Sequence, residues 1–288
     1  MPDFTVIWGG VTTGSFYALL GLSYLLILKG TRTLNFGVGG FAVFAAVGSA
    51  IWAEDTSRSV ALIAALAAGC ALALASDTFV ARPIQARDTG HYAVVIALAA
   101  VFFVVVQITG EWLSAAPVFG QPLSTAVWFE GRITGQSVIL VAAAVLATAA
   151  ASIWFRYGRR GRLLSAVGDE WQAAVLLCLP IGRLRILAVA LGGIIASVAG
   201  VLISGQAPVN FQSGFSWALV GLVALMVGGS ASAWGPLVGG LIIGVSGTLG
   251  TWWLGSTLLG VRDYVLLAVV LLVFKFRPEG LFAKAIRV

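Results

Sequence analysis

The sequence predicts an all-α protein, a polytopic transmembrane bundle of about eight or nine helical segments, and three observations lead to this fold class. Apolar residues make up 60% of the 288 residues and charged residues only 10%, whereas a soluble domain carries about 25% charge. The apolar residues are gathered into long runs, as membrane helices require. The basic residues fall mainly in the gaps between alternate runs, which is typical of a chain that crosses a membrane repeatedly.

The apolar runs define the predicted elements in order. About 20 residues are needed to cross the hydrocarbon as a helix. The second, seventh and last runs are short, and these are the candidates for half-helices or re-entrant segments. We predict nine segments, at about 5–28, 36–53, 59–81, 91–110, 135–155, 186–206, 214–231, 236–254 and 262–276.

The basic residues predict the orientation of these segments. If the gap after the first segment is cytoplasmic, only Arg58, Arg132 and Arg262 lie outside the cell. This asymmetry fits the bias that sets membrane topology, and it predicts an external N-terminus and a cytoplasmic C-terminus. The first run lacks a basic leader, so we expect it to be retained as a span. The basic residues predicted inside are Lys29, Arg32, Arg82, Arg87, Arg156, Arg159, Arg160, Arg162, Arg183, Arg185, Lys275, Arg277, Lys284 and Arg287.

The inner loop at about 156–185 is the most polar stretch of the chain. Within it, 165–177 is predicted as one short helix with Asp169 and Glu170 near its start, where the helix dipole favours acids. Ala174 lies four residues after Glu170, so we expect both side chains to face the same partner groove. One interpretation is a helix that docks into another protein, and the other is an amphipathic helix on the lipid surface. The loop alone favours neither.

A short internal repeat links two helix boundaries. The stretch LNFGVGGF at 34–41 resembles VNFQSGF at 209–215, and each follows a long span rich in small residues. The preceding spans run in opposite predicted directions, which is the pattern of an inverted repeat that builds a transport path. We predict that Asn35 and Asn210 mark helix breaks near such a path. The alternative is that each asparagine caps a helix.

Missing motifs restrict the function. No predicted segment has an ionisable residue near its middle, which argues against a proton-driven carrier. The chain lacks a phosphate-binding loop and the common hydrolase motifs. We therefore expect no enzyme activity, no cofactor and no metal in this chain. The basic residues flank apolar spans, so we expect membrane lipid rather than nucleic acid beside them. A transport path without its own energy source needs an external motor.

Six motifs follow one another along almost the whole chain: GSFYAL at 14–19, LNFG at 34–37, RPI at 82–84, the polar stretch 157–177, the glycine-rich stretch 228–240 and RPEGLF at 277–282. Together they resemble the permease subunits of branched-chain amino acid ABC importers, of the LivH type. Two departures stand out. Val38 and Gly40 replace a histidine and a glutamate of the family pattern, and Cys178 and Leu179 stand where the family has Gly-Ile.

The resemblance implies a single permease domain over 1–288 in a bacterial inner membrane. It also implies two cytoplasmic ATP-binding subunits that hold ATP and magnesium, a second homologous permease and an extracytoplasmic solute-binding protein. The implied cargo is a small polar solute such as a branched-chain amino acid, with urea, amides and small carboxylates as alternatives. Two other functions are the alternatives to an ABC importer subunit: a carrier or facilitator that acts alone, and a structural membrane subunit without a transport path. The residues predicted to couple to the ATPase are Arg159, Arg160, Arg162, Asp169, Glu170, Ala174 and Leu177.

Overall fold

The structure is a computed structural model that describes residues 4–87, 91–128, 133–254, 261–276 and 280–282. Helices dominate it, which confirms the predicted class. The helices are α1 Phe4–Thr31, α2 Gly37–Asp55, α3 Arg58–Ala75, α4 Arg82–Ala86, α5 His91–Ile108, α6 Gly135–Tyr157, α7 Arg159–Asp169, α8 Trp171–Leu176, α9 Ile181–Ser204, α10 Ser213–Gly228, α11 Trp234–Leu254 and α12 Val261–Phe276. Two π-helical segments, Ser76–Ala81 and Thr109–Leu113, continue α3 and α5. Two antiparallel strands of two residues each, β1 Val127–Trp128 and β2 Ile133–Thr134, precede α6.

Nine of the helical stretches correspond to the nine predicted segments. Seven stretches in the described ranges are long and apolar enough to cross a membrane. The seventh and ninth segments are shorter apolar helices, as predicted, whereas the second is a 19-residue helix of sufficient length. The third extends beyond its predicted end because α4 continues it to Ala86, and the fourth because the π-helical segment Thr109–Leu113 continues it. Arg132, Lys284 and Arg287, and the residues 277–279 of the last motif, lie outside the described residues.

The helices before and after α6 form an inverted repeat. α1 and α9 run antiparallel, because Gly30 lies against Ala188 while the Ser23 hydroxyl donates to the Gly192 carbonyl at 2.7 Å. α1 packs on α10 and α11, and α9 packs on α2 and α3. The copies cross at Gly39 and Gly214, which occupy equivalent places in the two motifs. A Cβ on Gly39 would collide with the Gly214 carbonyl oxygen, so the backbones of α2 and α10 touch there.

Small residues allow the same close approach at other crossings. A Cβ on Gly14 of α1 would lie 2.8 Å from the Gly240 carbonyl oxygen of α11. Gly193 of α9 packs on Cys70 of α3 in the same way. Small residues at helix crossings let backbones approach closely in lipid. The glycine spacing of the sequence therefore reflects tight packing.

Two glycines with positive φ join the last two motifs. Gly229 has a φ of 89° and Gly280 a φ of 88°, a region that side chains with a Cβ rarely adopt. The backbone of 281–282 then donates to the carbonyls of Val227 and Gly228 at 3.0 Å each. The chain after α12 is thereby fastened to the C-terminal end of α10.

The bundle has two distinct ends. The basic end, defined by Lys29, Asn35, Asp77, Asp169 and Arg185, gathers the ends of α1 and α3 with the starts of α2 and α9, and it carries α7 and α8. The opposite end is defined by Trp8, Arg58, Val118 and Ser204. There the Trp8 indole donates to Ser137 of α6 at 2.8 Å, and Arg58 donates to the Pro122 carbonyl. α1 therefore begins at the opposite end, and α7 and α8 lie at the basic end.

Candidate coupling segment and transport path

The predicted single helix at 165–177 is two helices. The chain breaks at Glu170, which has φ −137° and ψ 87°, between α7 and α8. Asp169 is the last residue of α7, so the expectation that it lies near a helix start is wrong. Its carboxylate instead approaches the Lys29 ammonium at 3.6 Å. Glu170 does precede α8, and its side chain is exposed.

Ala174 is buried in the protein interior and does not lie on the surface. It is 2% exposed and belongs to a cluster with Leu164, Val167, Leu184 and Ala188. Glu170, four residues before Ala174, is exposed, so the two side chains do not share one partner-facing surface. The expectation that Ala174 enters a partner groove is therefore wrong.

An exposed apolar edge follows the buried alanine. Leu176 is 84% exposed and Leu177 is 72% exposed, and Val175 is half-exposed. We call Val175, Leu176 and Leu177 the docking edge. The predicted arginines Arg159, Arg160 and Arg162 are also exposed. Leu177 and the arginines thus lie where a partner can reach them, and their coupling role stays a prediction.

Cys178 ends α8 in a conformation that favours glycine. Its φ is 51°. The Cys178 N–H donates to the Val175 carbonyl at 3.0 Å, and the Leu179 N–H donates to the Ala174 carbonyl at 3.2 Å. This bond pair is the usual helix ending with a left-handed residue, most often glycine. The departure from the Gly-Ile of the family pattern therefore places a side chain where the backbone is strained.

A buried lysine connects α7 to α1. Lys29 of α1 is 6% exposed. Its ammonium donates to the Ser165 hydroxyl at 3.3 Å, approaches Asp169, and lies 5.6 Å from the Phe155 ring centroid. Gly168 packs directly on the Lys29 side chain. A movement of α7 would therefore act on α1 without an intermediate element.

A second buried ionic group joins three helices at the basic end. Asp77 is 1% exposed. Its carboxylate accepts hydrogen bonds from Arg185 Nε at 2.8 Å, Arg185 Nη2 at 2.6 Å and Arg82 Nε at 2.9 Å. Arg185 Nη1 donates to Gln85, whose amide donates to the Thr31 carbonyl at 3.4 Å. The group thereby links the π-helical segment after α3 to α9 and α1.

Sequence reasoning missed this group. Arg185 was expected in the inner loop and no role was predicted for Asp77, whereas both lie inside helices and are buried. The available signal was a carboxylate inside an apolar run, because such a carboxylate needs a cationic partner. That signal does not identify Arg185, which is 108 residues away.

The two asparagines make the same local bond in different surroundings. Asn35 Oδ1 accepts the Gly37 N–H at 2.9 Å, and Asn210 Oδ1 accepts the Gln212 N–H at 3.1 Å. Both bonds lie at the start of the following helix, but the N-cap residues are Phe36 and Gln212, so neither asparagine caps its helix as the alternative expected. Asn35 is buried and its amide reaches the Ser76 hydroxyl at 3.5 Å, whereas Asn210 is partly exposed. A path-lining role for either residue stays a prediction.

Val38 and Gly40, the two residues that depart from the family pattern after LNFG, are both packed against other helices. Val38 is fully buried. A Cβ on Gly40 would lie 3.3 Å from Val105 Cγ1 of α5. A glutamate in place of Gly40 would therefore meet α5. This chain instead has a close apolar contact between α2 and α5.

Comparisons with known proteins agree with this arrangement. The family model of the permease component of the branched-chain amino acid transport system matches residues 6–274. The permease protein LivH of the high-affinity branched-chain amino acid transport system of Salmonella typhimurium is 26% identical over 297 residues, covering 96% of this chain and 94% of that protein. The ribose import permease protein RbsC of Escherichia coli K12 is 26% identical over 272 residues, covering 88% and 79%.

A solved structure shows the same fold. PsaBC from Streptococcus pneumoniae, in complex with Fab, superimposes with a TM-score of 0.54 at 12% identity, covering 97% of this chain and 95% of that one. The family match spans nearly all of the helical bundle, from α1 to α12. This chain therefore belongs to the family of permease components of the branched-chain amino acid transport system.

Proposed function

We propose that the chain is a transmembrane subunit of an ABC importer that carries a small polar solute into the cytoplasm of a bacterium. The observation that carries the proposal is the docking edge, which exposes apolar side chains on a segment between two spanning helices of a permease-family chain. The sequence lacks a phosphate-binding loop, so the energy for transport comes from another subunit. The basic end then faces the cytoplasm, because basic residues concentrate on that side.

The partners follow from this role. Two cytoplasmic subunits bind ATP and magnesium, and one of them contacts the docking edge of this chain. A second homologous permease completes the path, and an extracytoplasmic protein delivers the solute. An apolar helix edge that enters a groove is a common form of recognition between proteins. The exposed Arg159 and Arg162 flank the edge and suit an acidic rim on the ATPase.

The contacts of the basic end support a route from ATPase to permease. A push on α8 acts on Leu164 and Leu184 through the cluster around Ala174, and these residues belong to α7 and α9. α7 in turn holds α1 through Lys29. α1 and α9 are equivalent helices of the two repeat copies, so one push reaches both halves.

The preferred solute is a branched-chain or related amino acid, in line with the LivH relatives. A neutral sugar is the second candidate, because the RbsC relative is a ribose import permease. Asp77 and Lys29 are occupied by partners within the chain. Recognition by this subunit then depends on backbone dipoles and polar side chains, which favours loose selectivity here and selection by the binding protein.

Reconstitution tests the function. The chain is co-expressed with its partner subunits and reconstituted into proteoliposomes. ATP is enclosed on the cytoplasmic side, and the binding protein with labelled leucine or ribose is added on the other side. We expect uptake that needs ATP and co-purification of an ATPase. The Leu176→Asp variant should lose the ATPase, whereas Leu123→Asp, an exposed leucine near the opposite end, should keep it. Uptake by the chain alone, without ATP, would identify a carrier and overturn the proposal.

Topology is tested separately by thiol labelling. A cysteine placed at Arg160 and another at Gln121, in a variant that lacks Cys178, should react with an impermeant reagent from opposite sides. We expect the site at Gln121 to react in intact cells and the site at Arg160 only after lysis. Reaction of both from one side would contradict the nine-segment topology.

A further inference from the structure

A groove runs between α6 and α9, with α1 at its floor. Its volume is about 450 Å³. α6 contributes small side chains at helical spacing, and α9 contributes larger ones at every fourth residue. α6 and α9 touch only loosely there, because the alanines leave a gap between them. The lining residues are Leu26, Ala147, Ala150, Ala151, Trp154, Arg160, Leu187, Leu191 and Ile195.

The groove opens on an apolar outer face. Ala150 is exposed. Leu146 and Ile153 on α6 and Ile186 on α9 are exposed beside the groove. An exposed apolar face on a membrane-spanning helix meets hydrocarbon rather than water. A straight apolar channel on such a face has the shape and chemistry of an acyl-chain site.

One cation lies at the basic end of this groove. Arg160 of α7 lines it and is exposed, and it has no ion pair or hydrogen bond within the part of the chain that the structure describes. It is the only charged residue of the lining given above.

Aromatic side chains mark the same level of the bundle. Trp154 lines the groove, and Tyr157 is exposed, with the Arg156 guanidinium 5.5 Å from its ring centroid. The Trp234 indole donates to Ser152 at 3.2 Å. Tryptophan and tyrosine concentrate at the membrane–water interface, so this level corresponds to the lipid headgroups.

We propose that the groove binds an anionic phospholipid, with one acyl chain along α6 and α9 and the phosphate on Arg160. Basic pockets between transmembrane helices on the cytoplasmic side bind anionic headgroups. A helix of a partner protein would have to supply an acid at the position of Arg160, whereas an anionic lipid supplies both the chain and the charge. The bound lipid would hold α7, through Arg160, against the space between α6 and α9.

The test uses the full-length purified chain and a phosphatidylglycerol with a photoreactive acyl chain. Phosphatidylcholine with the same chain is the headgroup control. We expect label in 147–154 and 187–195, and tighter binding of phosphatidylglycerol. Arg160→Gln should lower its affinity by about fivefold, from the usual contribution of one basic residue near an anionic surface. Arg160→Lys should keep most of it, and Arg159→Gln, an exposed neighbour outside the lining, should leave it unchanged.

Filling the groove provides the second arm. Ala150→Phe should remove the label from both ranges, whereas Ala142→Phe, an exposed alanine of α6 outside the lining, should retain it. Equal losses in Arg159→Gln and Arg160→Gln would show diffuse surface charge and overturn the site. Label outside the two ranges, or label that survives in Ala150→Phe, would also overturn it. Loss of bound lipid on assembly with the second permease would identify a protein interface instead.

Discussion

The basic end of the bundle has ionic side-chain pairs that the described residues of the opposite end lack. Asp77 pairs with Arg185 in the interior, and the buried Lys29 approaches the exposed Asp169. Main-chain bonds between distant segments occur at both ends; at the opposite end the Val118 N–H and the Val209 N–H donate to each other's carbonyls at 3.0 and 2.8 Å. The Gly120 N–H also donates to the Ser204 carbonyl at 2.9 Å.

This difference between the ends fits a protein in which movement is applied at the basic end. Main-chain bonds fix the register of the segments they join, whereas ionic side chains can exchange partners when helices slide. Both non-glycine residues with positive φ in the described ranges, Arg32 at 55° and Cys178 at 51°, adjoin helix ends at the basic end. Strained backbone concentrates where conformations switch. We infer that the basic end rearranges during transport while the opposite end keeps its register.

The largest effect is expected from a charge placed inside the basic end. Ala174→Arg would bury an unpaired guanidinium among the apolar side chains of α7, α8 and α9. We expect a loss of several kcal/mol, because breaking or unpairing a buried charge typically costs 3–5 kcal/mol, and overpacking adds to it. The yield of monodisperse protein in detergent should fall sharply. The matched variant Ala173→Arg, at an exposed neighbour, should fold normally; equal yields would show that Ala174 is not buried.

A second variant tests the ionic fastening itself. Asp77→Ala leaves the guanidinium of Arg185 buried without its carboxylate, and we expect a loss of about 3–5 kcal/mol. Thermal unfolding of the purified chain measures it. The double variant Asp77→Leu with Arg185→Met should recover most of the stability, since an apolar pair of similar volume often replaces a buried ion pair at little cost. No recovery would show that the two residues do not act as a pair.

Gln136 provides the control at the opposite end. Its amide is 2% exposed; it accepts the Leu123 N–H at 2.7 Å and donates to the Leu202 carbonyl at 2.7 Å. Gln136→Ala should cost about 1–3 kcal/mol, because two buried main-chain groups lose their partners. Transport coupling per assembled complex should stay intact. A coupling defect in this variant would contradict the division of roles between the ends.

The sequence predicted the helices better than the contacts at the basic end. Long apolar runs predicted all nine segments, including the short ninth, because a membrane helix needs a continuous apolar stretch. The break at Glu170 was missed, because the contacts that position α7, such as Gly168 on Lys29, come from a distant part of the chain. The burial of Ala174 was missed because it comes from packing against Leu184 and Ala188 of α9. The partner of Asp77 was missed for the same reason, since only the folded repeat brings α3 beside α9.

The two asparagines compare the ends residue by residue. Asn35→Leu should cost about 1–3 kcal/mol, since it leaves the Gly37 N–H and the Ser76 hydroxyl without the asparagine inside a buried site. Asn210→Leu should cost about 0.5 kcal/mol, the lower limit for the net contribution of one hydrogen bond, because its site is partly open. We expect both variants to assemble normally but to transport more slowly, and to accept the same solutes. Thermal unfolding and competition uptake measure this; equal losses of stability would remove the contrast between the two sites.

The smallest effect should be a gain, and it tests the strain at the basic end. Cys178→Gly removes the Cβ from a residue with a φ of 51°, while keeping the two backbone bonds that end α8. We expect about 0.5–1 kcal/mol of stabilisation, the excess of the relieved strain over the added flexibility of the unfolded chain. Cys178→Ala is the control, because it removes the thiol and keeps the Cβ. If both variants raise the unfolding temperature equally, the thiol and not the backbone is responsible. If glycine alone raises it, the positive φ of Cys178 strains the backbone directly after the docking edge. The main-chain bonds between Val118 and Val209 at the opposite end involve no such residue.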